Sequence, residues 1–286
     1  MVDVILRSGR VTRLREPVRA DAEALVAFLS ALSDESRYQR FHGALRIVPA
    51  TVEPYLELDW HDRGALIATV APTRGHERVA ALASFARLRD PRVAEVAFVV
   101  ADELQGDGIG TRLLEQLAER ARAAGIETFV AEVLQTNGPM LRVFAAAGFV
   151  STRTVQGGVV ELRFPIASSS AYLARVDERD HLAISRSLRP LLAPGSVAVI
   201  GASPRAGSIG GEIFRNIVEG GFRGACHPVN RSGLPVAGSA AYRSVAEIPV
   251  AVDLALLCVP APQVQPAARE ALAAGARALC VISSGF

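Results

Sequence analysis

The sequence predicts an α/β protein in two parts: first a mixed, mostly antiparallel sheet with flanking helices, then a separate parallel sheet. Three observations carry this. Strand-like runs at Ala65 to Val70, Val79 to Arg87 and Ala94 to Val100 are separated by turn signals at Pro72 to His76 and Asp90-Pro91, the pattern of a meander. The last run leads through the glycine-rich turn Gln105-Gly106-Asp107-Gly108-Ile109-Gly110 into an amphipathic helix. From Ser196 onward strands and helices alternate, which belongs to parallel sheets.

Length and composition set the limits. With 286 residues, 50% of them hydrophobic, the chain can bury two ordinary cores. A net charge of +2 gives no basic footprint for nucleic acid. No apolar run approaches the roughly 20 residues that span a bilayer. MVDVILRSGR carries charges where a signal peptide needs an apolar core, so a cytoplasmic protein without membrane or nucleic-acid partners is expected. Cys226, Cys258 and Cys280 lack metal-ligand spacing and sit in apolar surroundings, so buried free thiols and no metal are expected. The chain contains no lysine, and its wealth of Ala, Gly, Arg and Pro points to the codon bias of a GC-rich genome.

In chain order, Val4 to Leu6 and Val11 to Arg15 read as a hairpin around Ser8-Gly9. Asp21 can cap a helix with apolar positions Ala24, Leu25, Phe28, Leu29 and Leu32, and Ser33 with Ser36 can start a second through Tyr38 and Phe41. Pro49 to Leu58 reads as a third. After Gly110 the stripe Leu113, Leu114, Leu117, Ala118 and Ala121 makes one helix face, stopped by Gly125. A strand at Thr128 to Leu134 turns through Gln135 to Met140 into a helix closing at Ala147-Gly148, and strands Val150 to Thr154 and Val159 to Phe164 complete the first domain, residues 1–166. The serine-rich stretch Pro165 to Ser170 and the polar helix Tyr172 to Leu192 form a linker and bridging helix, residues 167–195. In residues 196–286, strands at Val197 to Ile200, Ala225 to Val229, Val252 to Cys258 and Ala278 to Ile282 alternate with helices at Glu212 to Glu219, Val245 to Ile248 and Val264 to Gly275. The glycines Gly207, Gly210 and Gly211 before the first helix are too loosely spaced for G-x-G-x-x-G.

The first glycine turn has the chemistry of an anion site. Gly108 and Gly110 let the backbone come close to a bulky anion, and the unpaired N–H groups of the following helix point at it, so a pyrophosphate fits. Gln105, Gly106, Asp107, Gly108, Ile109, Gly110 and Thr111 are the expected binding residues. Glu95, alone among apolar neighbours just upstream, calls for a reason. Burial among Val96 and Phe98 would make it an effective base; the alternative is a strand-end glutamate facing solvent.

Position by position, Ala94 to Thr111 resembles motif A of the GNAT family of acetyl-CoA-dependent N-acetyltransferases, whose loop reads Gln/Arg-x-x-Gly-x-Gly. Asn137, Met140, Phe144 and Gly148-Phe149 are similarly spaced to its motif B. The resemblance implies a GNAT fold with acetyl-CoA between the strands at 94–100 and 128–134. It implies a pantetheine arm along Phe98 and Val100, an oxyanion donor at the N–H of Phe98 or Val99, and a cofactor contact from Asn137. Glu95 is then the base for the acceptor amine, and Ser36 to Phe41 covers the acceptor. Many members have a tyrosine, the acid for the leaving thiolate, where this chain has Phe144, so no general acid is assigned.

In the second part, Val199-Ile200-Gly201-Ala202-Ser203, His227-Pro228-Val229-Asn230-Arg231, Cys258-Val259-Pro260-Ala261 and Val281 to Phe286 resemble the Rossmann-like CoA-binding domain of NDP-forming acyl-CoA synthetases, relatives of the succinyl-CoA synthetase α subunit. A second CoA site at Gly201, Ala202, Ser203, Asn230, Arg231, Val259 and Pro260 is implied. In that family Ser-Ser-Gly-Phe lies mid-fold, so a truncation or an excerpt of a longer protein is expected. The combination resembles the bacterial Pat-type protein acetyltransferases. It implies acetyl transfer to a protein lysine, on AMP-forming acetyl-CoA synthetase, with the second module sensing an acyl-CoA as effector. The alternatives are an NDP-forming acyl-CoA synthetase fragment carrying a GNAT domain and a small-amine N-acetyltransferase.

Overall fold

The structure, a computed structural model, describes residues 1–43, 46–70, 77–167 and 170–283. The turn at Pro72 to His76, Ser168 and Ser169 of the serine stretch, and Ser284-Gly285-Phe286 lie outside the described residues. The chain divides into two compact units, Met1–Ile184 and Ser185–Phe286.

The first unit is built on β1 (Val2–Ile5), β2 (Val11–Arg15), β3 (Arg63–Val70), β4 (Arg78–Arg87), β5 (Val93–Val100), β6 (Thr128–Leu134), β7 (Thr152–Gln156) and β8 (Val159–Pro165). They form an eight-stranded sheet in the order β1-β2-β3-β4-β5-β6-β8-β7. Only β5 and β6 run parallel, because α4 (Ile109–Ala123) crosses over between them; the other neighbours are antiparallel. The other helices of the unit are α1 (Ala22–Ala31), α2 (Asp34–Phe41), α3 (Pro49–Val52), α5 (Gly138–Ala147) and the start of α6 (Ser170–Leu192). The helix expected over Pro49 to Leu58 breaks after one turn into a 3-10 turn at Glu53–Tyr55, because Pro54 has no N–H to continue it.

Ser33 caps α2 as expected, accepting the Ser36 N–H at 3.2 Å. Asp21 does not cap α1. Its carboxylate accepts both Nη atoms of Arg15, at 2.7 and 2.8 Å, and the Val18 N–H at 2.7 Å, bracing β2 against the turn before α1. The Arg15 guanidinium thereby holds the Asp21 carboxyl below its usual range. A group with a lowered folded pKa stabilises above its unfolded pKa, and that contribution is lost as pH falls through the folded value. Asp21→Asn should therefore lower the denaturation midpoint at pH 7 and flatten its fall at acid pH, as urea titrations across that range would show.

A run of aromatic contacts crosses the core: Phe85 to Phe129 at 6.2 Å, Phe129 to Phe164 at 6.0 Å, Phe164 to Phe144 at 5.3 Å and Phe144 to Phe98 at 5.9 Å. Phe149, after α5, stacks on Tyr172 of α6 at 4.6 Å, which packs the first turns of α6 against this unit. Below that stack Glu115 of α4 sits between Arg112 and Arg179, and Arg112 also meets Asp180.

The second unit is a four-stranded parallel sheet in the order β10-β9-β11-β12. Its strands are β9 (Ser196–Ile200), β10 (Ala225–Val229), β11 (Leu254–Leu257) and β12 (Ala278–Val281). Helices α7 (Ile209–Glu219) and α8 (Ala261–Ala273) connect them, together with a 3-10 turn at Val245–Glu247. Phe214 of α7 is fully buried against the sheet. The three cysteines are free and half-buried, and burial pushes the thiols of Cys226 and Cys258 up to about 11. Among the described residues no helix is long and apolar enough to cross a membrane.

Candidate active site

The site begins where two neighbouring strands part. β5 pairs with β4 along its length, from Arg87↔Ala94 to Ala81↔Val100, and β6 pairs with β8 from Thr128↔Pro165 to Leu134↔Val159. Between β5 and β6 the pairing stops at Glu95↔Val130. Beyond that point the strands splay around a cavity of about 730 Å³, within the range of cofactor sites. Val96 to Val100 form one wall and Ala131 to Val133 the other.

The unpaired edge of β5 supplies directed donors and acceptors. The Ala101 N–H donates to Ala80 O and the Leu88 N–H to Val93 O, both at 2.8 Å, which commits the odd-numbered peptide groups of β5 to β4. Those of Val96, Phe98 and Val100 consequently face the gap. Of the two oxyanion donors considered, the Phe98 N–H is on the right edge; Val99 lines the cavity, but its N–H is directed at β4.

The floor is the turn into α4. Gly106 and Gly108 have φ of +84° and +94°, a region that a side chain disfavours. No side chain caps α4, and the first helical bond is Arg112 N–H to Gly108 O at 3.1 Å, so the N–H groups of Ile109, Gly110 and Thr111 have no partner within the helix. A Cβ on Gly110 would stand 3.4 Å from Val143 Cγ2, so a small residue there lets α4 and α5 approach closely. Asp107, expected among the binding residues, is not in the wall. Its carboxylate accepts the Ser8 N–H at 2.8 Å and the Ser8 hydroxyl at 2.7 Å, fastening the β1–β2 hairpin to the loop. That fastening brings in Arg7, a cavity-lining cation absent from the sequence expectations. Gly108→Val forces φ > 0 on a β-branched residue and should weaken binding of a CoA-type ligand by about tenfold or more in calorimetry.

On the far wall, Asn137 caps α5 by accepting the Met140 N–H at 3.0 Å, which leaves its NH2 as the side chain's remaining donor at the cavity. Phe144 lines the cavity beside Phe98, and among the described residues no tyrosine lines it.

Glu95 is placed differently from the buried base expected. It is exposed and stands just outside the wall, one residue before Val96. The reason is the period of the strand. Val96 and Phe98 point to the face covered by α4 and α5, and Glu95 and Ala97 to the other, with their cross-strand partners Ala86 and Ser84. Over that second face lies Arg40 of α2, whose Nη2 donates to Tyr55 Oη at 3.1 Å and Ser84 Oγ at 3.3 Å. Glu132, two residues beyond Val130, brings a second exposed carboxylate to the gap.

The second unit gathers its expected residues unevenly. From β9 the chain turns to β10 on one side and later to β11 on the other, so the crevice beyond the carboxyl ends of β9 and β11 is a topological switch point. Gly201 and Cys258-Val259-Pro260 meet there: a Cβ on Gly201 would stand 2.2 Å from Cys258 O, and one on Gly210 would stand 2.3 Å from Gly201 O. With φ of +93°, Gly201→Ala should destabilise the second unit by about 2 to 4 kcal/mol, read as a lowered thermal transition. Ala202 is fully buried, backbone included. Arg231 is exposed. Asn230 spends its carboxamide on its own loop: Oδ1 accepts from Ser232 Oγ at 2.7 Å and Leu234 N at 3.1 Å, and Nδ2 donates to Leu234 O at 2.9 Å.

Comparison with known proteins agrees with this geometry. Residues 28–149 match the acetyltransferase (GNAT) family and residues 195–285 the CoA binding domain family. The crystal structure of the GNAT domain of S. lividans PAT is 38% identical, with a TM-score of 0.53, covering 57% of this chain and 96% of that one. Acetyltransferase Pat of Mycolicibacterium smegmatis is 31% identical over 160 residues, 56% of this chain and 47% of the relative. The second unit is similar to the α subunit of ADP-forming acetate–CoA ligase I of Pyrococcus furiosus, 43% identical over 104 residues, 35% of this chain and 22% of the relative. The chain thus spans less than half the length of these two curated relatives, at 47% and 22%. Splayed strands, glycine turn and likeness together place the chain in the GNAT acetyltransferase family through its first unit, joined to a CoA binding domain like that of ADP-forming acyl-CoA ligases.

Proposed function

We propose that this protein transfers the acetyl group of acetyl-CoA to the ε-amino group of a protein lysine, with AMP-forming acetyl-CoA synthetase as the acceptor protein and the second unit as a sensor of acyl-CoA. The observation that carries the transfer is the gap between β5 and β6, with backbone donors along one edge and a glycine turn with unpaired helix N–H groups at its floor. The likeness to two Pat proteins supports the lysine acceptor, and the CoA binding domain supports the sensor.

Each group has a task in this reading. The first-turn N–H groups of α4 hold the pyrophosphate, and the gap-facing groups of Phe98 and Val100 align the pantetheine arm as an added strand would. The Phe98 N–H meets the charge that develops on the thioester oxygen; one such donor is worth about 3 to 4 kcal/mol in known acyl-transfer sites. Glu95, at the apex of the splay, takes the proton from the acceptor ammonium. Phe144 can give no proton to the leaving thiolate, and a thiol pKa of about 8.5 lets the thiolate depart without one.

Incubating the full chain and acetyl-CoA with a cytosolic extract, then mapping acetyl-lysines by mass spectrometry, tests the acceptor. A new mark on an acyl-CoA synthetase is expected; acetylation confined to small amines would sink the reading. For the sensor, calorimetry should find two acetyl-CoA sites per chain or cooperative binding. A single independent site would remove the second unit's role.

A further inference from the structure

Among the described residues of the first unit, Arg40 has no carboxylate counter-ion. It lines the cavity from the α2 side, and its Nη2 donates to two neutral oxygens, those of Tyr55 and Ser84. Its guanidinium carbon lies 5.1 Å from the Phe41 ring centroid and 6.0 Å from that of Tyr55, and its Nε is buried without a hydrogen-bond partner. The acids near it on the chain are already engaged, Asp34 with Arg37 and Glu35 as acceptor from Gln39 at 3.0 Å; Asp102, just after β5, accepts from Ser33 and Ser36. Among the described residues no carboxylate forms an ion pair with Arg40. A half-buried guanidinium with an unmet N–H is costly unless something else satisfies it.

Its position says where the missing partner comes from. Ser84, which Arg40 contacts, stands opposite Ala97, two residues from Glu95 and on the same face. Arg40 therefore overlooks the middle of β5, where the acyl group and the acceptor amine meet, and not the α4 turn that takes the phosphates. The planar fork of arginine suits a carboxylate or a phosphate, and with the phosphates at the α4 turn the group that fits beside the middle of β5 is a carboxylate.

We propose that Arg40 is a specificity-determining residue that receives a carboxylate carried by one of the two reactants beside the reacting atoms. Two sources share this chemistry: an acidic side chain next to the acceptor lysine, or the far end of a dicarboxylic acyl group on CoA. The inference rests on the acyl-transfer reading above and names the chemical class of its substrate.

The test uses the full chain with two donors, acetyl-CoA and succinyl-CoA, and two lysine peptides that differ by Glu or Gln beside the lysine. Transfer is read by mass spectrometry as kcat/KM for wild type, Arg40→Gln and Arg40→Lys, each checked for folding by thermal unfolding. One carboxylate-bearing reactant should be preferred about tenfold or more over its neutral counterpart, as a charge-assisted bond predicts. The preference should vanish in Arg40→Gln and partly return in Arg40→Lys. Preference for the Glu peptide assigns the carboxylate to the acceptor; preference for succinyl-CoA assigns it to the donor. Transfer without preference in wild type, or a preference that survives Arg40→Gln, overturns the proposal and leaves the lysine reading intact. Binding of acetyl-CoA with no transfer to either peptide from either donor overturns the lysine reading, and this inference with it.

Discussion

Glu95→Gln should leave acetyl-CoA affinity within about twofold and lower the rate of transfer to lysine by about 10²- to 10⁴-fold at neutral pH, the span that general bases contribute. The first half follows from position, because Glu95 lies outside the cavity wall. The second follows from the proposed acceptor, since a lysine ammonium with a pKa of about 10.4 is only about 0.1% neutral near pH 7.4. A group at the apex of the splay, on the face that Arg40 overlooks, is placed to take that proton as the amine comes in. Glu95 is exposed, and its contribution comes from where it stands. The defect should be largest near neutral pH and shrink as the pH rises. Raising the pH to 9.4 increases the neutral amine about a hundredfold, and the variant should recover much of its loss while wild type gains less. A kcat/KM profile from pH 7 to 9.5 checks both limbs. Equal turnover of the two proteins at pH 7 would remove Glu95 from the mechanism.

The parts of this site that sequence reveals are those contiguous in the chain. β5, its glycine turn and α4 follow one another from Val93 to Ala123, so strand, turn and helix can be read as one pattern. What the pattern hides is how side chains are spent. Asp107 and Asn230 sit in binding-like contexts, yet one fastens a hairpin that lies 99 residues away in the chain and the other closes its own turn. Arg7, Arg40 and Glu132 reach the cavity from separate elements, and no local spacing links them. The exposure of Glu95 follows from which face α4 and α5 cover, and a strand's period does not say which face that is. Asp21 is the same kind of case: its residue type announces a cap, and a neighbouring arginine takes the carboxylate first.

Glu115→Ala should destabilise the first unit by about 3 to 5 kcal/mol, the usual cost of removing one partner from a buried ion pair. The Glu115 side chain is only 6% exposed; it binds Arg112 at 3.1 Å and also Arg179, whose side chains are 9% and 16% exposed. Without it two cations face each other in a site with little water. Arg179 also donates to Ala146 O, at 2.6 Å, so the same guanidinium ties α6 to the last turn of α5. The consequence should reach the cavity, because α4 and α5 carry the glycine turn and the Asn137 wall. A urea midpoint lowered for the first unit, with protease cleavage appearing near the start of α6, is the expected result. Asp180→Asn should cost far less, about 1 kcal/mol or under, since that carboxylate is 50% exposed and water can replace it. A second construction separates loss of packing from loss of charge balance. Arg112→Met, Glu115→Leu and Arg179→Met together fill the site with apolar groups of similar length, and such triads often regain or exceed the original stability. Recovery in the triple variant would mean that charge balance sets the cost; a further drop would mean that the Arg179 bond to α5 does.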